Sequence, residues 1–97
     1  MIVDKDRGTG RTTRQLNEMK EGGVYVIHHH SFESYCKNIL KGTKKLRFMT
    51  NQQVGRGDWM GLDVPCVDMD HHAVEMCTKE QWWEYLKFKD YVKVHSS

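Results

Sequence analysis

The chain has 97 residues, a length that supports a single domain over residues 1–97 with a modest core and leaves no room for two. Charged residues make up 29% and the apolar set 38%, which excludes a disordered chain, and no stretch is long and apolar enough to span a membrane. A formal charge of +2 is too small to argue for nucleic-acid binding unless the basic residues cluster. Met1 is followed by Asp4, Lys5 and Asp6 instead of an apolar signal core, and Cys36, Cys66 and Cys77 are odd in number and lack C-x-x-C spacing. Both features predict a cytoplasmic chain with reduced thiols.

Ile2 and Val3 form a short apolar start, read as a first strand, and the run Gly8-Thr9-Gly10-Arg11-Thr12-Thr13 follows. Its glycines let the backbone turn tightly and point successive N–H groups into one concavity, to which a following helix adds the positive end of its dipole. This is the chemistry of a phosphate-binding loop. In the Walker A pattern, G-x-x-x-x-G-K-[ST], the Lys reaches the β- and γ-phosphates and the hydroxyl holds Mg²⁺. Aligned on Gly10, Arg11 takes the Lys position and Thr12 the hydroxyl position, while the first glycine falls on Lys5. A guanidinium still grips phosphate, but it does not follow developing charge as a compact ammonium does. Binding therefore survives the change better than catalysis.

A helix is predicted over 13–20, with Leu16 and Met19 on one face and Gly22-Gly23 as its stop. The continuous run Val24, Tyr25, Val26, Ile27 reads as a strand buried on both faces of a parallel sheet. Ser31 is expected to cap a second helix, whose Phe32, Tyr35, Cys36, Ile39 and Leu40 line one face before Gly42 ends it. Residues 46–49 give a third strand. Residues 51–61 read as a loop with at most one helical turn, and 64–69 as the next strand with Pro65 near its start. Thr78 and Gln81 make a capping box for a helix bearing Trp82, Trp83, Leu86 and Phe88, and 91–94 reads as a final, partly exposed strand.

This order of elements predicts an α/β fold: an open, mostly parallel sheet with flanking helices and right-handed crossovers. Ligands of such sheets bind at the carboxyl ends of strands. That edge collects the loop at 8–13, the exit at His28, His29 and His30, and the exit at Asp70 and His71. A carboxylate that ends an apolar strand opposite a phosphate loop holds Mg²⁺ or its water, so Thr12 and Asp70 form the expected metal pair, with Asp68 as second choice. Glu75 is the nearest acidic residue downstream that could serve as a base. The three consecutive histidines cannot all face one ion from a strand or turn. Asp70-His71-His72 also matches the name-giving triplet of the DHH phosphoesterases, but their further aspartate motifs are not evident and those chains are much longer.

The run from Asp6 to Arg14, the apolar strand after Gly22-Gly23 and the strand-end pair Asp70-His71 resemble small P-loop NTPase-like proteins encoded by bacteriophages, over roughly residues 1–76. The resemblance implies a reduced P-loop fold that binds ATP or GTP with Mg²⁺, with nucleotide phosphate at Gly8, Thr9, Gly10, Arg11, Thr12 and Thr13 and metal near Thr12 and Asp70. For a chain of viral origin, the compartment would be the host cytoplasm.

Six basic residues (Lys37, Lys41, Lys44, Lys45, Arg47, Arg56) and no acidic one lie between Ser34 and Gly57. Such a stretch suits nucleic-acid phosphates or an acidic protein, and equally a solvated helix end. Adjacent Trp82 and Trp83 cannot both face one core line, so one is expected at a rim or in an interface with a host protein. Two functions follow as expectations. One is a nucleoside triphosphate or polyphosphate binder with weak or no hydrolysis. The other is a viral interaction protein, with the P-loop scaffold vestigial, that modulates a host protein or nucleic-acid-processing machinery.

Overall fold

The computed structural model describes residues 11–95, so the apolar start at Ile2-Val3 and the loop residues Gly8, Thr9 and Gly10 lie outside the described residues. In chain order the elements are α1 (Arg11–Glu18), β1 (Val24–Ile27), α2 (Phe32–Leu40), β2 (Arg47–Thr50), α3 (Asn51–Gly55), β3 (Val67–Met69), α4 (His71–Met76) and α5 (Lys79–His95). The described strands form one parallel sheet in the order β2-β1-β3, with Val24 opposite Arg47 on one side and Val67 on the other. Since all three run the same way, their carboxyl ends share one edge.

All four residues of the central strand β1 are buried, and strand alternation divides them between two cores. Val24 and Val26 join Met49, Val54, Trp59, Met69 and the α5 residues Tyr85, Phe88 and Val92. Tyr25 and Ile27 face the other way, onto Leu16 and Met19 beside α1 and onto Cys36 and Leu40 of α2. Burial in that second cluster pushes the Cys36 thiol up to about 12, the state of a core thiol and not of a nucleophile.

The sheet is one strand shorter than predicted at its C-terminal end, because residues 91–94 complete α5. No glycine or proline interrupts 79–95, and Tyr85, Phe88 and Val92 recur at i, i+3 and i+7 to bury against the sheet. Tertiary packing of that stripe outweighs the β-propensity of Val92 and Val94. The predicted capping box is present: the Thr78 hydroxyl accepts from Gln81 N at 3.1 Å, and Gln81 Oε1 accepts from Thr78 N at 2.9 Å. The inward stripe runs through Tyr85 and not Leu86, which is exposed together with Trp82 and Trp83.

Smaller shifts have local causes. The helix predicted from residue 13 already includes Arg11, and the strand predicted at 46–49 is displaced by one residue to Arg47–Thr50. The strand predicted over 64–69 pairs only from Val67, beyond Pro65, which has no N–H for a ladder. Ser31 does not cap α2 through its side chain, since its hydroxyl lies 3.0 Å from His29 Nδ1. The helix ends as expected near Gly42 (φ +77°), with Lys41 also left-handed at φ +51°. Thr50 and Gln53 form an unpredicted capping box on α3, the single helical turn allowed for in 51–61.

The ammonium of Lys44 donates to the carbonyls of Leu16, Asn17 and Met19 at 3.2, 2.9 and 2.6 Å, satisfying groups left open where α1 ends. Lys44→Met should therefore cost about 1–2 kcal/mol of stability, from charge-assisted bonds near a helix C-terminus. A thermal melt checks this. A surface lysine without such bonds would leave the midpoint where it was. Lys37 pairs with Glu33 at 2.9 Å and Arg56 with Asp58 at 2.7 Å, so half of the basic stretch already has partners within the fold.

Candidate functional site

Parallel strands bring the three exits to one edge. β1 leads into His28, β2 into Asn51, and β3 into Asp70, where α4 starts. Asp70 is fully buried and caps α4, its side chain accepting from His72 N. Thr12, in the first described turn of α1, donates its hydroxyl to Asp70 Oδ1 at 2.9 Å. The expected metal pair is thus in direct contact across 58 positions of sequence.

The same carboxylate gathers more than that pair. Tyr25 donates its phenol to Oδ1 at 2.5 Å, while Oδ2 faces His72 N and His72 Nδ1, both at 2.9 Å. Burial alone would raise the Asp70 pKa, but the bonds from Tyr25, the His72 amide and Thr12 hold it below the ordinary carboxylate value. Conversely, burial followed by the bond to Asp70 raises the Tyr25 phenol far above its usual range. Tyr25 therefore donates and stays neutral. Gln15 ties this knot to β3: its Nε2 donates to Asp68 Oδ2 and to Met69 O at 3.1 and 3.0 Å, while its Oε1 accepts from His71 N at 3.3 Å.

Beside Asp70 opens a cleft of about 340 Å³ lined by Arg11, Thr12 and Thr13 and by the rings of His28, Phe32, Tyr35, His71 and His72. This volume lies within the range of small-ligand sites. The rings are mutually packed: Phe32 stands 5.0 Å from His28, 5.0 Å from Tyr35 and 5.5 Å from His72, between centroids. Burial first, and then the neighbouring His72, lowers the His28 pKa, so its ring is neutral at pH 7.

Four other residues singled out in the sequence lie elsewhere. Asp68, held by Gln15 and by the amide of Met69, does not line the cleft. His29 and His30 are exposed, and so is Glu75 on α4, which does not line the cleft either. Tyr25 and Gln15 were not legible as site residues, because one sits in an apolar strand run and the other has no local motif. The short helix α4 is also absent from the sequence reading, which places Asp70 only at the end of a strand and not as a helix cap. Compared with known proteins, the chain matches no family model, no curated protein and no solved structure.

Proposed function

We propose that the protein binds a nucleoside triphosphate, or another polyphosphate, in the cleft at the carboxyl edge of the sheet, with weak or no hydrolysis. The observation that carries this reading is the Thr12–Asp70 contact, which joins the hydroxyl position of the loop motif to the strand-end carboxylate beside an open cleft. Arg11, Thr12 and Thr13 supply polar groups of the cleft lining, which would hold phosphate together with the loop residues Gly8, Thr9 and Gly10. The aromatic rings in the lining offer π-faces to a base, so a nucleotide fits the site better than a bare polyphosphate. Thr12 Oγ1 and Asp70 Oδ1 are the hard oxygen donors that Mg²⁺ takes, and when bound the ion would neutralise phosphate charge. On this reading the scaffold is a reduced P-loop domain of phage origin.

Weak hydrolysis follows from the residues. Arg11 replaces the Walker lysine, Lys5 replaces the first glycine, and His71 follows Asp70 where a working NTPase carries an acidic neighbour. Lost transition-state contacts cost far more than lost ground-state contacts, on the order of 10³ to 10⁵ in rate for a missing arginine finger. Calorimetry with ATP and GTP, with and without Mg²⁺, tests the proposal. Arg11→Ala should weaken binding about tenfold or more, as expected for a charge-assisted phosphate contact. Arg14→Ala, at an exposed α1 position outside the cleft, should do much less. Equal losses would point to diffuse electrostatics, and fast turnover abolished by Asp70→Asn would make the chain an enzyme.

A second reading rests on α5, where Trp83 is 60% exposed and Trp82 and Leu86 are more than a third exposed on the same helix. Aromatic anchors of this kind suit a protein interface, here one with a host protein. Absence of nucleotide binding in the same titrations favours this interaction role.

A further inference from the structure

The two oxygens of Asp70 divide their surroundings. Oδ1 takes the hydroxyls of Thr12 and Tyr25, whereas Oδ2 faces two imidazoles, with His72 Nδ1 at 2.9 Å and His71 Nδ1 at 3.8 Å. One ligand atom from each of Asp70, His71 and His72 falls within 4.8 Å of the others. A tetrahedral zinc-type ion, bound at about 2.0–2.1 Å, places its ligand atoms about 3.3 Å apart. The 2.9 and 3.8 Å separations from Asp70 Oδ2 straddle that edge and the remaining one lies within 4.8 Å, so side-chain adjustments would close the set around an ion.

A hydrogen bond explains only half of this arrangement. His72 Nδ1 is satisfied by Asp70, but 3.8 Å is too long for a bond from His71, and His71 Nδ1 is buried with no hydrogen-bond partner. An unpartnered buried ring nitrogen facing a buried carboxylate is costly, and a cation shared among the three groups satisfies it. The backbone supports the same geometry. Asp70 is the N-cap of α4 and the two histidines occupy its first turn, with Gln15 holding the His71 amide and Asp70 the His72 amide.

We infer that Asp70 Oδ2, His71 Nδ1 and His72 Nδ1 form a binding site for a divalent transition-metal ion of the zinc class. Two imidazoles and one carboxylate are a borderline donor set, suited to Zn²⁺, Co²⁺ or Ni²⁺ and poorly suited to Mg²⁺. His71 and His72 also line the cleft, so a fourth position opens toward it, where water or a ligand oxygen can complete the coordination. The site does not depend on nucleotide binding, because each of its ligands comes from the β3 exit and α4.

The test is a titration of the full chain with Co²⁺ and with Zn²⁺, without nucleotide and with Mg²⁺ in excess, followed by Co²⁺ visible absorption and calorimetry. One ion should bind per chain. His71→Gln and His72→Gln should each lower affinity by about a hundredfold, the upper end of what even outer-shell partners of a metal contribute. The double variant His29→Gln/His30→Gln, at exposed positions, should bind like the parent. Ring-nitrogen NMR of the unmodified protein needs no variant: Co²⁺ should shift or broaden the His71 and His72 signals before those of His29, His30 and His95. The inference is overturned if neither ion binds, if the His29/His30 variant loses the ion, if the His71 and His72 variants keep it, or if Mg²⁺ displaces it. Since nucleotide is absent, failure here leaves the ATP and GTP titrations to be judged by themselves.

Discussion

Replacing Asp70 with alanine is expected to destabilise the protein by about 3–5 kcal/mol, the cost of removing one partner from a buried, charged hydrogen-bond network. The substitution strands the Thr12 and Tyr25 hydroxyls in the interior and removes the α4 cap at one stroke. Against a total of about 5–15 kcal/mol for a typical domain, that loss leaves little margin. Asp70→Asn should cost less, because its amide oxygen still accepts from one side, although its NH₂ then faces a donor. Denaturant unfolding of both variants checks the order. A loss under about 1 kcal/mol for alanine would show that the carboxylate is no junction.

The same group gives stability a direction in pH. The Asp70 pKa is lowered on folding, so its contribution is fully present above the unfolded value, about 3.9, and is lost as pH falls through the folded value. Acid should therefore unfold the parent along a slope that Asp70→Asn flattens. A variant with an unchanged acid limb would assign that limb to other carboxylates.

Phe88→Ala should also cost about 3–5 kcal/mol, from lost apolar burial and the cavity left behind. Phe88 is fully buried on α5, stacked on Trp59 with centroids 5.2 Å apart and planes at 14°. Its cluster lies across the sheet from Tyr25, Leu16 and Cys36. Ligand binding by the folded fraction should consequently persist, so this variant separates loss of fold from loss of site. Denaturant midpoints, combined with titrations under conditions where the variant is folded, measure both. If binding vanishes while the chain remains folded, the two faces are more tightly coupled than the packing indicates.

Local pattern was sufficient where one period or one cap dominated. The unbroken apolar run at 24–27 announced a strand buried on both faces, and the Thr78-x-x-Gln81 box announced the start of α5. The spacing of Cys36 and Leu40 announced α2, and the strand ending in Asp70 was placed correctly at its carboxyl end. These signals act over a few residues, which is why they survive in the bare sequence. The end of α5 was different. Val92 and Val94 carry strand propensity, and only the sheet surface offered to Tyr85, Phe88 and Val92 decides that the helix continues to His95.

The site divides in the same way. Glycine-rich spacing nominated Thr12, and a strand end nominated Asp70, each from its own neighbourhood. Their contact arises because β1 and β3 pair in parallel and set α1 against the β3 exit, whereas the preference for Asp70 over Asp68 is already readable from the strand end. Tyr25 and Gln15 carry no motif, since a phenol within an apolar run and an amide on a helix become partners of Asp70 and Asp68 only through packing. Likewise the inward turn of His71 and His72 toward Asp70 Oδ2, with His29 and His30 left in solvent, is set by the α4 cap. Residue chemistry determined which groups could bind a ligand, and the parallel sheet decided which of them meet, because contacts across more than fifty positions have no local signature.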